Sequence, residues 1–138
     1  MSWDLANYKH QELTETVIQA FYEVYNELGH GFLESVYEEA IHRVLRQKTV
    51  QVQRQSPLPV WFRGEQIGEF RADLIVANAV IVELKAARAL EPSHEAQLRN
   101  YLRASNLEVG LLLNFGPVPR IKRMVFANDK KKNLRASA

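Results

Sequence analysis

Two carboxylates and an amine interrupt an otherwise aliphatic stretch in the middle of the chain. Nine residues separate Asp73 from Glu83, and Lys85 follows Glu83 by two positions. Like charges in apolar surroundings repel each other, and Lys85 can neutralise only one of them. A divalent cation would balance both, because Mg²⁺ commonly binds one or two carboxylates together with water and substrate phosphates. The pattern therefore indicates hydrolysis of a phosphodiester.

The hairpin that carries these residues determines how they meet. A turn at Ala77-Asn78-Ala79 is predicted to join two antiparallel strands. Pairing across this turn brings Asp73 opposite residue 83 or 84, so that its carboxylate can lie beside that of Glu83. Because side chains alternate along a strand, Glu83 and Lys85 share one face. The sequence thus predicts one shared polar site.

We predict that Asp73, Glu83 and the backbone carbonyl of Leu84 bind the metal ion. Lys85 would then orient or help to deprotonate a water molecule, or stabilise negative charge on a phosphate. The alternative is a Glu–Lys pair on a solvent-facing edge, which is the more common meaning of the Glu-x-Lys pattern.

Helical and strand patterns elsewhere supply the elements that position this hairpin. Apolar residues at spacings of three and four predict a first helix, which Gly29-His30-Gly31 ends. Pro92 suits the start of a later helix, and the run VGLLLNF predicts a strand buried on both faces. Helices are predicted at residues 9–28, 33–47 and 93–105, and strands at 50–62 with an interruption, 67–76, 80–86, 109–115 and 120–126. The order ααβββαββ indicates an α/β fold with helices on a mixed central sheet.

Composition limits the class of protein. The 138 residues, 46% of them hydrophobic, suffice for one domain, predicted at residues 1–128. Residues 129–138 are predicted to form a basic, disordered tail, because residues 120–138 carry seven Lys and Arg against one Asp. The absence of cysteine excludes disulfides and thiol catalysis. With no apolar run of membrane-spanning length and no secretory signal pattern, we expect a cytoplasmic protein without a membrane partner.

Three motifs resemble those of known nucleases. Asp73 with Glu83-Leu84-Lys85 resembles the motif of the PD-(D/E)xK nuclease superfamily, although Ala72 stands where the superfamily has proline. Residues 31–37, GFLESVY, resemble the G-x-x-E-x-x-Y signature of the GxxExxY family. Residues 97–101, QLRNY, resemble the Q-x-x-x-Y motif of RecB-type nucleases.

This resemblance implies a single-domain PD-(D/E)xK nuclease-like fold, a Mg²⁺ or Mn²⁺ cofactor, and DNA or RNA as the substrate. It also implies that Glu34 joins the metal site, and that Gln97 and Tyr101 arrange the site and contact the substrate strand. The alternative for Glu34 is to interact only with the helix dipole. Gln97 and Tyr101 could instead form a polar column exposed to water.

Two further residues are candidates for substrate binding. His94 begins the polar column of the third helix, and Arg99 lies on the same helix, so both could contact phosphates. A lone histidine at this position is more often a residue that starts a helix, and a single arginine is more often a surface charge.

Three functions remain open from the sequence. The leading one is a metal-dependent nuclease. The first alternative is a noncatalytic nucleic-acid or protein binding module on the same fold, and the second is a metal-dependent hydrolase of a small phosphorylated molecule. The sequence also leaves open whether the substrate is DNA or RNA, whether cleavage is endo- or exonucleolytic, and whether the protein is catalytically active. The oligomeric state is open as well, with a homodimer among the alternatives.

Overall fold

The computed structural model describes residues 10–132 and residue 134. The elements of this part are α1 (Gln11–Leu28), α2 (Glu34–Gln47), β1 (Val52–Phe62), β2 (Glu65–Val76), β3 (Val80–Lys85), α3 (Pro92–Ala104), β4 (Val109–Phe115), β5 (Pro119–Val125) and a short 3₁₀ helix (Asn128–Lys130). The predicted order of helices and strands is confirmed. β1 is one strand with a register shift between Val60 and Trp61, and it tolerates Pro57 and Pro59 because it lies at the edge of the sheet.

The five strands form one mixed sheet in the order β1-β2-β3-β4-β5. Neighbouring strands are antiparallel except for β3 and β4, which are parallel and joined through α3. A parallel pair needs a crossover connection, and α3 supplies it. The hairpin of β2 and β3 therefore lies next to the buried strand β4, and all seven residues of β4 are buried.

Helices cover both faces of the sheet. Residues of α1 and α2 pack against one face of β2, β3 and β4 in a core cluster that includes Phe21, Tyr37 and Ile41. On the opposite face, α3 packs through Leu98, Tyr101 and Leu102. Residues 81, 83 and 85 of β3 point toward α3, because alternate side chains of a strand share a face. The predicted α/β sandwich is thus confirmed.

Local signals in the sequence explain where the helices begin and end. α1 ends at Gly29, whose φ of 66° lies in the left-handed region and whose N–H donates to the carbonyl of Tyr25. α3 begins with Pro92 and a capping box between Glu91 and His94. Within the described residues, no helix is long and apolar enough to cross a membrane.

The division into a domain and a basic tail stays a prediction, as does the cytoplasmic location. The described part of the predicted tail contacts the domain. Lys131 Nζ donates to the carbonyls of Ser105 and Leu107 at 2.8 and 2.7 Å. Residues 1–9, 133 and 135–138 lie outside the described residues.

Candidate metal and active site

Strands β2 and β3 separate where the two predicted acidic residues meet. Their last paired residues are Leu74 and Val82. Beyond this pair, the N–H of Asp73 donates to Glu83 Oε1 at 2.9 Å, and the N–H of Leu84 donates to Asp73 Oδ2 at 2.9 Å. Each carboxylate therefore accepts a hydrogen bond from the main chain of the other strand. The predicted proximity of Asp73 and Glu83 is present in the structure.

Burial makes this acid pair electrostatically costly. Glu83 is 3% exposed. Burial, followed by repulsion from Asp73, raises the pKa of Glu83 to about 9. In the metal-free protein at neutral pH, Glu83 therefore keeps its proton, and a hydrogen bond between the two side chains favours that state. The proton on Glu83 thus relieves the repulsion between Glu83 and Asp73, and a bound cation would relieve the same repulsion.

The donor atoms at this position suit a hard divalent cation. Among residues 10–132 and 134, no group of three or more His, Asp or Glu side chains could hold a metal ion. Mg²⁺, however, commonly binds one or two carboxylates and completes its shell with water and substrate phosphates. The N–H and C=O of a strand residue point to the same side, so the carbonyl of Leu84 faces the gap that Asp73 enters. The residues present therefore fit Mg²⁺ or Mn²⁺.

Lys85 is connected to α3 through an amide. Its Nζ donates to Gln97 Oε1 at 2.8 Å, and Tyr101 lies about one turn after Gln97 on the same helix. Lys85 follows the buried Glu83 on the same face of β3, and its own side chain is half-buried. The structure thus brings the Q-x-x-x-Y pair to the acid pair.

Tyr101 closes the α3 side of the site. It is 7% exposed and packs against Phe70, with ring centroids 5.2 Å apart. Burial, reinforced by the charges of Glu83 and Asp73, raises the pKa of Tyr101 to about 12. Its hydroxyl therefore stays protonated at neutral pH and remains a hydrogen-bond donor. A buried tyrosine at this position does not fit the alternative of a polar column exposed to water.

Glu34 is not connected to the acid pair by the contacts of the described residues. It begins α2 and is exposed to solvent. Glu38, one turn further, is buried and reaches the pair indirectly, because Gln55 Nε2 donates to Glu38 Oε1 at 2.6 Å and to Asp73 Oδ1 at 3.4 Å. The first turn of α2 lies at the exposed end of the helix, whereas Glu38 faces β1. The metal-binding role of Glu34 therefore stays a prediction.

The structure gives different surroundings to the two predicted phosphate ligands. His94 Nδ1 accepts the N–H of Glu91 at 3.0 Å, so this ring nitrogen caps the start of α3. Arg99 is exposed and points about 200° around the helix from Gln97, away from the side that packs on the sheet. The structure does not bring Arg99 to the acid pair.

Asn114, which was not predicted from the sequence, positions the segment after Lys85. Asn114 is fully buried, accepts the N–H of Ala87 at 2.9 Å and donates to the carbonyl of Ala87 at 3.0 Å. Gly116 allows this close approach, because a Cβ there would lie 2.2 Å from the same carbonyl oxygen. The signal was a single amide within the apolar run VGLLLNF.

Sequence and fold comparisons agree with this fold. A mixed sheet whose strands separate at an Asp and a Glu, with Lys two residues after the Glu, defines a nuclease-like α/β domain. The sequence model described as PD-(D/E)XK nuclease superfamily matches residues 11–124, and the chain belongs to that superfamily.

One solved structure with a similar fold is the crystal structure of SSO0001. The TM-score is 0.55 at 19% sequence identity, over 88% of this chain and 62% of SSO0001. The chain thus spans less than two thirds of the length of SSO0001, and at this identity the similarity shows the fold alone. No curated protein matches the chain in sequence.

Proposed function

We propose that the protein is a Mg²⁺- or Mn²⁺-dependent nuclease of the GxxExxY group that hydrolyses phosphodiester bonds in DNA or RNA. The observation that carries this proposal is the pair formed by the buried Glu83 and the half-buried Asp73 beside Lys85, at the point where β2 and β3 separate. A fold has no electrostatic reason to place a buried carboxylate beside a second carboxylate that repels it, and a bound cation would supply such a reason.

The loop before α2 supports the assignment to the GxxExxY group. Gly31 has a φ of 112°, a conformation that favours glycine. The Tyr37 hydroxyl donates to the carbonyl of Gly29 at 2.6 Å and accepts the N–H of Phe32 at 3.2 Å. The glycine and the tyrosine of the signature therefore fix one loop, and its glutamate, Glu34, is exposed to solvent directly after that loop.

In this proposal Asp73, Glu83 and the carbonyl of Leu84 hold the ion. When bound, the ion supplies a Lewis acid that activates water and offsets negative charge on the phosphate. Glu83 would bind the ion as a carboxylate, because a cation would compensate the charge that the proton compensates without it. The main-chain N–H groups of Asp73 and Leu84 hold the carboxylates of Glu83 and Asp73 in place, so both ligands are preorganised.

The residues around the acid pair position the water and the substrate. Gln97 holds the Lys85 ammonium at a fixed place, where it orients the attacking water or stabilises charge on the phosphate. The Tyr101 hydroxyl, which stays protonated, donates toward the substrate backbone. Arg99 would contact a phosphate farther along the strand, from the solvent side of α3.

Cleavage assays with one substitution test the proposal. Wild-type protein and Lys85→Ala are incubated with labelled single- and double-stranded DNA and RNA, in Mg²⁺, Mn²⁺ or EDTA. Lys48→Ala is the control, because Lys48 pairs with Glu23 between α1 and α2, in a part of the molecule without contact to the acid pair. Circular dichroism verifies that each variant is folded.

The results separate the candidate functions. Cleavage that requires metal, disappears in Lys85→Ala and persists in Lys48→Ala supports the nuclease and identifies its substrate. Folded wild-type protein that cleaves no nucleic acid contradicts the nuclease and favours the binding module. A further assay offers a mononucleotide ester as substrate. If the protein hydrolyses this ester but no nucleic acid, and if single-stranded DNA does not inhibit the hydrolysis, the small-molecule hydrolase is favoured.

A further inference from the structure

A second amide, that of Gln55 on β1, lies between two carboxylates. Its Nε2 donates to Glu38 Oε1 at 2.6 Å and to Asp73 Oδ1 at 3.4 Å. An amide nitrogen carries two hydrogens, so a single group can serve both acceptors. Gln55 therefore links α2 to the acid pair from the side opposite α3.

Glu38 is a fixed acceptor for this amide. Its second carboxylate oxygen, Oε2, accepts from Arg54 Nε at 3.0 Å and lies 2.9 Å from Arg54 Nη2. This charge-assisted contact with a guanidinium restricts the orientation of Glu38. Because both oxygens of Glu38 have donors, the position of the Gln55 amide is determined by α2 and not by Asp73 alone.

The backbone at Gln55 is distorted at the same point. Its φ is 50°, which is uncommon for a residue other than glycine. Arg54 pairs with Leu74 and Ser56 pairs with Ala72 in the sheet, but Gln55 and Asp73 between them do not pair. The carbonyl of Gln55 instead accepts Arg71 Nη1 at 3.0 Å. Such a conformation persists where its surroundings enforce it, and here it directs the amide toward Asp73.

We propose that Gln55 is a positioning residue for Asp73, an inference that rests on the metal site proposed above. With Leu84 N–H on one carboxylate oxygen and Gln55 on the other, both oxygens of Asp73 have neutral donors. Neutral donors fix the carboxylate without cancelling its charge, which a lysine or arginine at position 55 would do. Gln55 donates to Asp73 from the β1 side, whereas Gln97 accepts a hydrogen bond from Lys85 on the α3 side, so an amide orients a site residue from each side.

Two substitutions separate the side chain from the backbone. Gln55→Met keeps the length and the backbone requirements of glutamine but removes both donors. Gln55→Asn keeps the amide and suits a positive φ, but it is one methylene too short to span Glu38 and Asp73. Gln51→Ala is the control, because Gln51 is exposed and precedes β1.

The measurements are Mn²⁺ affinity by calorimetry and the ¹³C shift of the Asp73 carboxyl carbon in metal-free protein. We expect both Gln55 variants to bind Mn²⁺ about tenfold more weakly than the wild type, the loss that is typical when a group supporting a metal ligand is removed. We also expect a changed Asp73 resonance in Gln55→Met. Gln51→Ala should leave both measurements unchanged.

Three results would overturn the inference, and they differ in whether the proposed metal site falls with it. If the wild type binds Mn²⁺ and both Gln55 variants bind it equally well, the metal site stands and Gln55 has no positioning role. If the wild type binds no Mn²⁺, the proposed function and the role of Gln55 fall together. A loss in Gln55→Met that is absent in Gln55→Asn would show that the span from Glu38 to Asp73 is not needed for metal binding, and it would contradict the inference as well.

Discussion

Replacing Glu83 with glutamine tests the electrostatics of the acid pair in the metal-free protein. The glutamine carbonyl can still accept the N–H of Asp73, and its NH₂ group donates toward the Asp73 carboxylate as the protonated Glu83 does. Glu83→Gln therefore imitates the protonated state permanently. We expect it to stabilise the metal-free protein at neutral pH and to abolish metal binding.

The pKa of Glu83 sets the size and the sign of the effect. Glu83 has an ordinary pKa of 4.5 when unfolded and about 9 when folded. Between these values the folded wild type holds a proton that the unfolded chain has lost, so stability decreases as pH rises. At about 1.4 kcal/mol per pH unit, roughly 3 kcal/mol is lost by pH 7. Glu83→Gln has no such loss.

Urea unfolding from pH 4.5 to 8 in EDTA measures the difference between the two proteins. It should be near zero at pH 4.5 and grow with pH in favour of Glu83→Gln. Glu65→Gln removes an exposed carboxylate at the start of β2 and should show no such trend. Added Mg²⁺ or Mn²⁺ should stabilise the wild type but not Glu83→Gln. A difference that does not change with pH would refute the repulsion between the buried Glu83 and the half-buried Asp73.

Three substitutions away from the acids test the surrounding packing, each by urea unfolding. Asn114→Leu should cost about 2–3 kcal/mol, because it leaves the N–H and C=O of Ala87 without partners; a neutral result would contradict the assigned clamp. Gly116→Ala should cost about 1–3 kcal/mol, because its Cβ would lie 2.2 Å from the backbone oxygen of Ala87. Tyr37→Phe should cost about 1 kcal/mol through the lost hydrogen bond to Gly29, and an unchanged midpoint would argue against that bond.

The acid pair could be predicted because local sequence determines its geometry. A tight turn fixes the register of a hairpin, and the register fixes which residues face each other, so Asp73 and Glu83 followed from counting outward from Asn78. Gln97 and Tyr101 depended on the resemblance to nucleases, since the contact between α3 and Lys85 crosses from one element to another. The order of elements followed from periodicity and from the positions of glycine and proline.

The residues that support the pair were harder to predict, for different reasons. The burial of Glu38 could have been predicted. Glu38 precedes Ile41 by three residues and Leu45 by seven, so it lies on the buried side of α2. Gln55 could not be predicted, because its direction depends on a left-handed backbone that no local signal specifies. Asn114 lies within an apolar run, where a single amide does not indicate a function. In the structure this amide is buried and forms hydrogen bonds with both main-chain groups of Ala87.

The exchange of hydrogen bonds between β2 and β3 affects how inactive variants should be interpreted. Asp73 and Glu83 also fasten two strands, since Glu83 accepts the main-chain N–H of Asp73 on β2 and Asp73 accepts that of Leu84 on β3. Asp73→Ala would leave the N–H of Leu84 without its acceptor, so lost activity in that variant would reflect a loosened sheet as well as a missing ligand. Asp73→Asn keeps an acceptor oxygen and separates the two effects. Alanine scanning alone would overstate the chemical contribution of both acids.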